Sequence, residues 1–328
     1  MKVLHILGNQ GMGWTGGISA TLNSLAQSRL AEWVEFQCVT ADRVTALLST
    51  WQPDLLVWHR ASSWKGIPEL LRWKSRPQIL IEHHYSAGFE QHQVPSRWRF
   101  RSMLRLTYGL MDRVITISEG QRRWMETQQL VRPEKLRLIR SSRTLDAFLQ
   151  VPEKVQPQTP FTLVAYGRLT EQKGFDRLIQ AVQQLPTGTV QLLLGGQGPQ
   201  EAILKQLAGH HPHIHFLGRV DDVPALLNRC DAVVIPSRWE PWGNVCLEAR
   251  AAGRPVLVTD IDGLSEQAEG CGLRVEPDSV TALAEGIQTL VNASLEQRQT
   301  WGQQGRLTAS HAWEDYVDAW DKLLRELQ

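Results

Sequence analysis

Short runs of β-branched and aliphatic residues recur along the whole chain, each closed by glycine, proline or polar residues and most followed by a stretch of helical period. In the first half they fall at residues 3–7, 36–40, 54–58, 78–81, 112–118 and 136–139, and in the second at 161–166, 190–194, 214–218, 232–236, 255–259 and 273–275. The runs at 232–236 and 255–259 are apolar along nearly their whole length instead of alternating, which is the pattern of strands in a parallel sheet covered on both faces. Apolar positions at helical spacing predict helices over 18–30, 67–73, 175–184, 223–228, 280–290 and 311–324. Ser118 is placed to cap a helix from Glu119. Another helix is predicted from Asn244, read as its N-cap, to Gly253, read as its C′ residue. The polar, proline-rich stretch 151–160 reads as a linker.

At 328 residues the chain exceeds one ordinary core and fits two domains of roughly 150 residues. These are read as 1–150 and 151–310, with the helix of about 311–328 as a final element. A net charge of +1 predicts no overall affinity for nucleic acid. Four cysteines without paired or metal-type spacing suit a reducing compartment. No apolar run approaches the ~18 residues that cross a bilayer, and the first residues lack a signal-peptide core. The expectation is a cytoplasmic protein, at most peripheral on the inner face of the membrane.

Charge is unevenly placed. Residues 95–143 hold twelve Lys/Arg against four Asp/Glu, with Trp98, Phe100 and Trp124 interleaved. Helical spacing makes part of this stretch an amphipathic helix with arginines outward. Two readings stay open: a solvated charged face, or adhesion to anionic lipid with Trp98 or Trp124 dipping into the interface.

The candidate chemistry sits where strands end, since ligands of open parallel sheets bind at the carboxyl ends of their strands. Glu240 falls in the loop after residues 232–236, and Glu248 on the second turn of the following helix. Trp239 and Trp242 flank the first acid in a turn, where packing alone rarely asks for tryptophan. Arg168 and Lys173 bracket the loop after 161–166, a geometry suited to a pyrophosphate without a metal. Gly11, Gly13 and Gly16 spell G-x-G-x-x-G, but the loop is too long after its strand for a nicotinamide fingerprint.

Taken together these strings resemble the retaining GT-B glycosyltransferases of family 4 (glycosyl transferases group 1). The strings are Glu240-(seven residues)-Glu248 followed by Ala-Ala-Gly-Arg-Pro-Val, Gly167-Arg-Leu-(three residues)-Lys173-Gly, and the pair Gly16-Gly17. The resemblance implies an α/β fold of two Rossmann-like domains facing across a cleft, with the last helix returning to the first domain. It implies transfer of a hexose from a nucleoside-diphosphate-sugar to a glycan or glycolipid, of the envelope polysaccharide or lipopolysaccharide type, with retention of configuration.

Carried over by position, Arg168 and Lys173 stabilise the leaving pyrophosphate, Glu248 holds ribose, and Glu240 lies beside the transferred sugar. The histidine that contacts this sugar is His84, or His83 in the neighbouring register, with His83 and Tyr85 otherwise toward the acceptor. Gly16, Gly17, Gly196, Arg219, Val220, Gly243, Asn244 and Val245 line the donor. The D-x-D of Asp260-Ile-Asp262 stands where relatives have a loop unrelated to metal, so neither metal nor cofactor is expected. The chain departs from the family at Arg140-Ser-Ser-Arg-Thr-Leu-Asp146, where many relatives have Pro-Asn-Gly-Val-Asp. Two alternatives remain: a sugar-nucleotide epimerase of the same fold, and a non-catalytic nucleotide-sugar-binding protein.

Overall fold

The computed structural model describes residues 1–8, 17–154, 156 and 159–328. The chain forms two units: Met1–Thr144 with Trp313–Gln328, and Leu145–Ala312. The first holds β1 (Lys2–Leu7), β2 (Glu35–Thr40), β3 (Leu55–Trp58), β4 (Gln78–Glu82), β5 (Arg113–Thr116) and β6 (Leu136–Leu138). The second holds β7 (Phe161–Tyr166), β8 (Val190–Gly195), β9 (Ile214–Gly218), β10 (Ala232–Ile235), β11 (Val256–Thr259) and β12 (Gly272–Val275). Their orders are β2-β1-β3-β4-β5-β6 and β12-β11-β10-β7-β8-β9, every pair parallel. Helices return the chain between parallel neighbours, so the central strands β1, β3, β4, β7, β10 and β11 are buried along nearly all their length.

The division at Leu145 comes earlier than the proline-rich stretch. Leu145, Phe148 and Val151 bury their side chains in the second unit's core, so these apolar residues and not the polar ones after them decide where the unit begins. In the first unit, the helix Ala312–Arg325 buries Tyr316, Val317, Trp320, Leu323 and Leu324. Its polar face is tied down as well. Arg29 pairs with Glu314 at 3.0 Å and with Asp318, and the Trp33 indole donates to Asp321 at 3.2 Å.

Several local expectations are corrected. The first long helix stops at Ala26, and Ser28 accepts from Leu30 N–H to start a separate short turn, Arg29–Glu32. Asn244 is the first helical residue instead of the cap; Gly243, at φ +99°, holds the capping position of the helix Asn244–Ala251. Trp124 is buried and its indole donates to Glu90 at 3.1 Å, so it does not reach an interface. Arg101 is likewise no outward charge: it holds the buried Glu90 carboxylate through two hydrogen bonds of 2.6 and 3.0 Å. Trp98 is 76% exposed on the helix Arg97–Leu110, beside the exposed Arg97 and Arg99.

Candidate active site

β7 and β10 are neighbours in the second sheet, which brings the loops beyond their carboxyl ends side by side. Side chains then stitch the two loops together. Arg238 grips Asp176 with two hydrogen bonds of 2.9 and 2.7 Å and donates to the Glu171 carbonyl at 2.7 Å. Burial works against ionisation of Asp176, but the Arg238 hydrogen bonds and charge outweigh it and leave its pKa lowered. The Arg238 N–H donates to the Gln172 carbonyl at 2.7 Å, and the Gln172 amide donates to the Trp239 carbonyl at 3.0 Å.

This frame sets Lys173 against Glu240. The ammonium and the carboxylate form a direct ion pair, with side chains 19% and 10% exposed. Glu240 is fixed further by Ser237 Oγ, which donates to Oε2 at 3.3 Å, and by its own N–H, which donates to Asp262 Oδ2 at 3.0 Å. Asp262 thus serves as a positioning carboxylate. A Cβ placed on Gly167 would lie 3.9 Å from Lys173 Cε, so the lysine stem runs beside the residue that precedes Arg168, whose own side chain is exposed.

Glu248 is buried, and Tyr166, the last residue of β7, donates its hydroxyl to Oε2 at 2.7 Å. Tyr166 was not singled out from the sequence, where it reads only as the end of an apolar run. The N–H groups of Asn244 and Val245, in the first turn of the same helix, donate to no described residue, as expected of the first helical positions. Trp239 and Trp242 are buried at 8% and 6% exposure, so packing does account for them.

The remaining donor-side candidates lie at the ends of β8 and β9. Gly196 N–H donates to the Gly218 carbonyl at 2.7 Å. Val220 packs where a side chain at Gly195 would stand, and the Arg219 guanidinium is mostly exposed and paired with Asp221 at 2.7 Å. Gly196 has φ +134°, and a Cβ there would lie 1.8 Å from the Gly167 carbonyl oxygen. Gly196→Ala is therefore expected to cost about 3 kcal/mol. Denaturant midpoints check this; a loss below about 0.5 kcal/mol would contradict the close approach of the two loops.

In the first unit, the end of β4 is built on a buried carboxylate. Glu82 accepts from the N–H groups of His84 (2.9 Å) and Tyr85 (3.1 Å) and from the Tyr108 hydroxyl (2.8 Å). Burial raises its pKa against these favourable contacts. Gln121 closes the loop by donating to the carbonyls of Glu82 and Tyr85. His84 is exposed, and its Nε2 lies 3.4 Å from the His59 carbonyl oxygen. His83 is half-buried, with Nε2 3.0 Å from His59 Nδ1. The Tyr85 hydroxyl is committed to the Ser62 carbonyl at 2.7 Å. Gly11, Gly13 and Gly16 lie outside the described residues, and Gly17 opens the helix Gly17–Ala26.

Two family models match the chain: Glycosyltransferase Family 4 over residues 32–141, and Glycosyl transferases group 1 over residues 148–308. The chain is 34% identical over 176 residues to a glycogen synthase of Mycobacterium tuberculosis, covering 50% of this chain and 42% of that protein. It is 34% identical over 139 residues to the lipopolysaccharide core biosynthesis glycosyltransferase LpsD of Rhizobium meliloti, covering 41% of this chain and 40% of that one. The chain thus spans less than half the length of either relative. Among solved structures, Anabaena Alr3699/HepE in complex with UDP superposes with a TM-score of 0.75 at 20% identity, over 100% of this chain and 99% of that one. At that identity the likeness is one of fold.

Proposed function

The chain belongs to the glycosyltransferases of group 1 and family 4, and we propose that it moves a hexose from a nucleoside-diphosphate-sugar to a glycan or glycolipid hydroxyl with retention of configuration. The observation that carries this reading is the paired construction at the ends of β7 and β10. Lys173 and Glu240, on segments locked together by Arg238, form one pair there, and Tyr166 at the end of β7 and Glu248 on the helix Asn244–Ala251 form the other. A structural neighbour was solved with UDP bound; in this reading the second unit, which carries Lys173 and Glu248, binds the nucleotide, and the first presents the acceptor.

Departure of the diphosphate is the step that needs help, because negative charge gathers on the leaving oxygens while positive charge develops on the sugar. Lys173 and Arg168 stabilise the first, and fixed cations at a developing charge are where most of a barrier reduction arises. Glu240 lies toward the sugar and offsets the second. Glu248, oriented by the Tyr166 hydroxyl, accepts from the ribose hydroxyls. The acceptor attacks the face the diphosphate leaves, and a β-phosphate oxygen takes its proton. No step is assigned to a metal.

A thermal-shift series against UDP-, GDP- and ADP-sugars tests the reading. The true donor at 100 times its Kd should add about 2.7 kcal/mol of stability. Failure of every nucleotide-sugar to stabilise the protein would count against it. Release of free nucleoside diphosphate without any acceptor would count against transfer in particular.

Among the described residues no helix is long and apolar enough to cross a membrane. A glycolipid acceptor would be met at the membrane surface, and Trp98 with Arg97 and Arg99 forms the exposed amphipathic patch suited to it. The double substitution Arg97→Ala/Arg99→Ala should weaken partitioning onto anionic vesicles about 30-fold, at about 1 kcal/mol per arginine. Arg101 is left intact because it holds Glu90. Unchanged partitioning would remove lipid adhesion.

A further inference from the structure

Three imidazoles line up across adjacent strands of the first sheet. His5 lies within β1, His59 directly follows β3 and His83 directly follows β4, and these strands are neighbours in the order β1-β3-β4. His5 Nδ1 is 2.8 Å from His59 Nε2, and His59 Nδ1 is 3.0 Å from His83 Nε2. The rings of His59 and His83 are stacked at 5.2 Å. His5 and His59 are buried, His83 half-buried, and burial holds all three neutral, with His5 and His83 lowered to about 3.

A neutral imidazole has one N–H and one lone pair, so the two contacts can be satisfied in two ways. In one, His83 donates from Nε2 to His59, which donates to His5. His5 then carries its proton on Nε2, a buried atom with no hydrogen-bond partner among the described residues. In the other, His5 donates from Nδ1 to His59, His59 donates to His83, and only a lone pair is stranded on His5 Nε2. Orphaned buried N–H groups are rarer than under-used acceptors, and stranding a donor costs about 1–3 kcal/mol. The Phe36 and Trp320 rings, 5.6 and 5.9 Å from the His5 ring, offer an N–H only a weak π-face acceptor, and the Trp320 N–H has itself no partner among the described residues. The second arrangement wins.

We infer that His5 and His59 are positioning residues that hold the proton of His83 on Nδ1, so that His83 meets substrate as a hydrogen-bond donor and not as a base. His83 then supplies an Nδ1–H that no described residue accepts. The role toward substrate rests on the transfer proposed above; the position of the proton does not.

Long-range ¹H–¹⁵N NMR of the full-length ¹⁵N-labelled protein reads the tautomer directly, with His83→Gln assigning the signals. The expected result is a protonated Nδ1 and a bare Nε2 at His83. A protonated Nε2 in the wild-type protein overturns the inference, whether or not any variant folds. In His59→Leu the single Nδ1–H pattern of His83 should be lost, and turnover should fall roughly five- to tenfold, about the worth of one hydrogen bond. An Nδ1–H at His83 with wild-type turnover in both His59→Leu and His83→Gln would leave the proton relay standing and remove its part in the reaction.

Discussion

Lys173→Ala is expected to lower kcat with any accepted donor at least ~100-fold, about what removal of one preorganised transition-state contact costs. The substitution also leaves Glu240 without its cation, and stranding a poorly exposed carboxylate can itself disturb the loop. The two effects separate in the double variant Lys173→Ala/Glu240→Gln. If the lysine served only to neutralise Glu240, its removal would cost no further turnover once Glu240→Gln is in place. If it meets the departing diphosphate, the double variant turns over at least ~100-fold more slowly than Glu240→Gln alone while its melting temperature recovers. Wild-type kcat in Lys173→Ala would end the assignment.

Lys173 also shows what a sequence can disclose. Its place after the first strand of the second unit, with glycine beside it, was legible because the strand–loop–helix alternation fixes which loops lie at strand ends. The strands of the described residues were legible for the same reason, as short, mostly apolar runs bounded by breakers. What was not legible depends on partners distant in sequence. Nothing local marks Arg238 as the residue that ties the Glu240 loop to Asp176, or Tyr166 as the donor to Glu248. The basic stretch misled because charge counts do not show direction: Arg101 and Trp124 both turn inward to the buried Glu90.

The helix Leu295–Ser310 was missed outright. Its sequence has little apolar periodicity, and its packing rests on backbone proximity instead: a Cβ at Gly302 would lie 2.4 Å from the Gly253 carbonyl oxygen. Glycines in a helix read as weakness until the neighbouring chain that needs the space is known. The histidine relay was half visible. His83 and His84 stood out at a strand end, while nothing local singles out His5 and His59, which only the strand order brings beside His83.

That relay sets the second large expectation, a steep loss of stability in mild acid. His5, His59 and His83 all have folded-state pKa values pressed below the usual 6.5, first by burial. Below pH 6.5 the unfolded chain takes up protons that the folded chain refuses, so stability is full above about pH 7 and falls as pH drops toward 3. Each histidine contributes about 1.4 kcal/mol per pH unit, and the three together about 4. Glu82 works with the opposite sign, because its raised pKa favours proton uptake by the folded state, but it is one group against three. The salt-bridged carboxylates Glu90, Glu119 and Asp176 have lowered values and lose their contribution only at lower pH, so they do not touch the interval from 6.5 to 5. From pH 6.5 to 5 the histidine slope removes about 6 kcal/mol, a large share of the about 5–15 kcal/mol that holds a domain folded. Chemical denaturation at half-unit steps from pH 7.5 to 5 measures it. His5→Phe, placed where the ring already packs against Phe36 and Trp320, should reduce the slope by about a third. A flat profile between pH 7 and 5.5, or an unchanged slope in His5→Phe, would show that the buried imidazoles take up protons in the folded state.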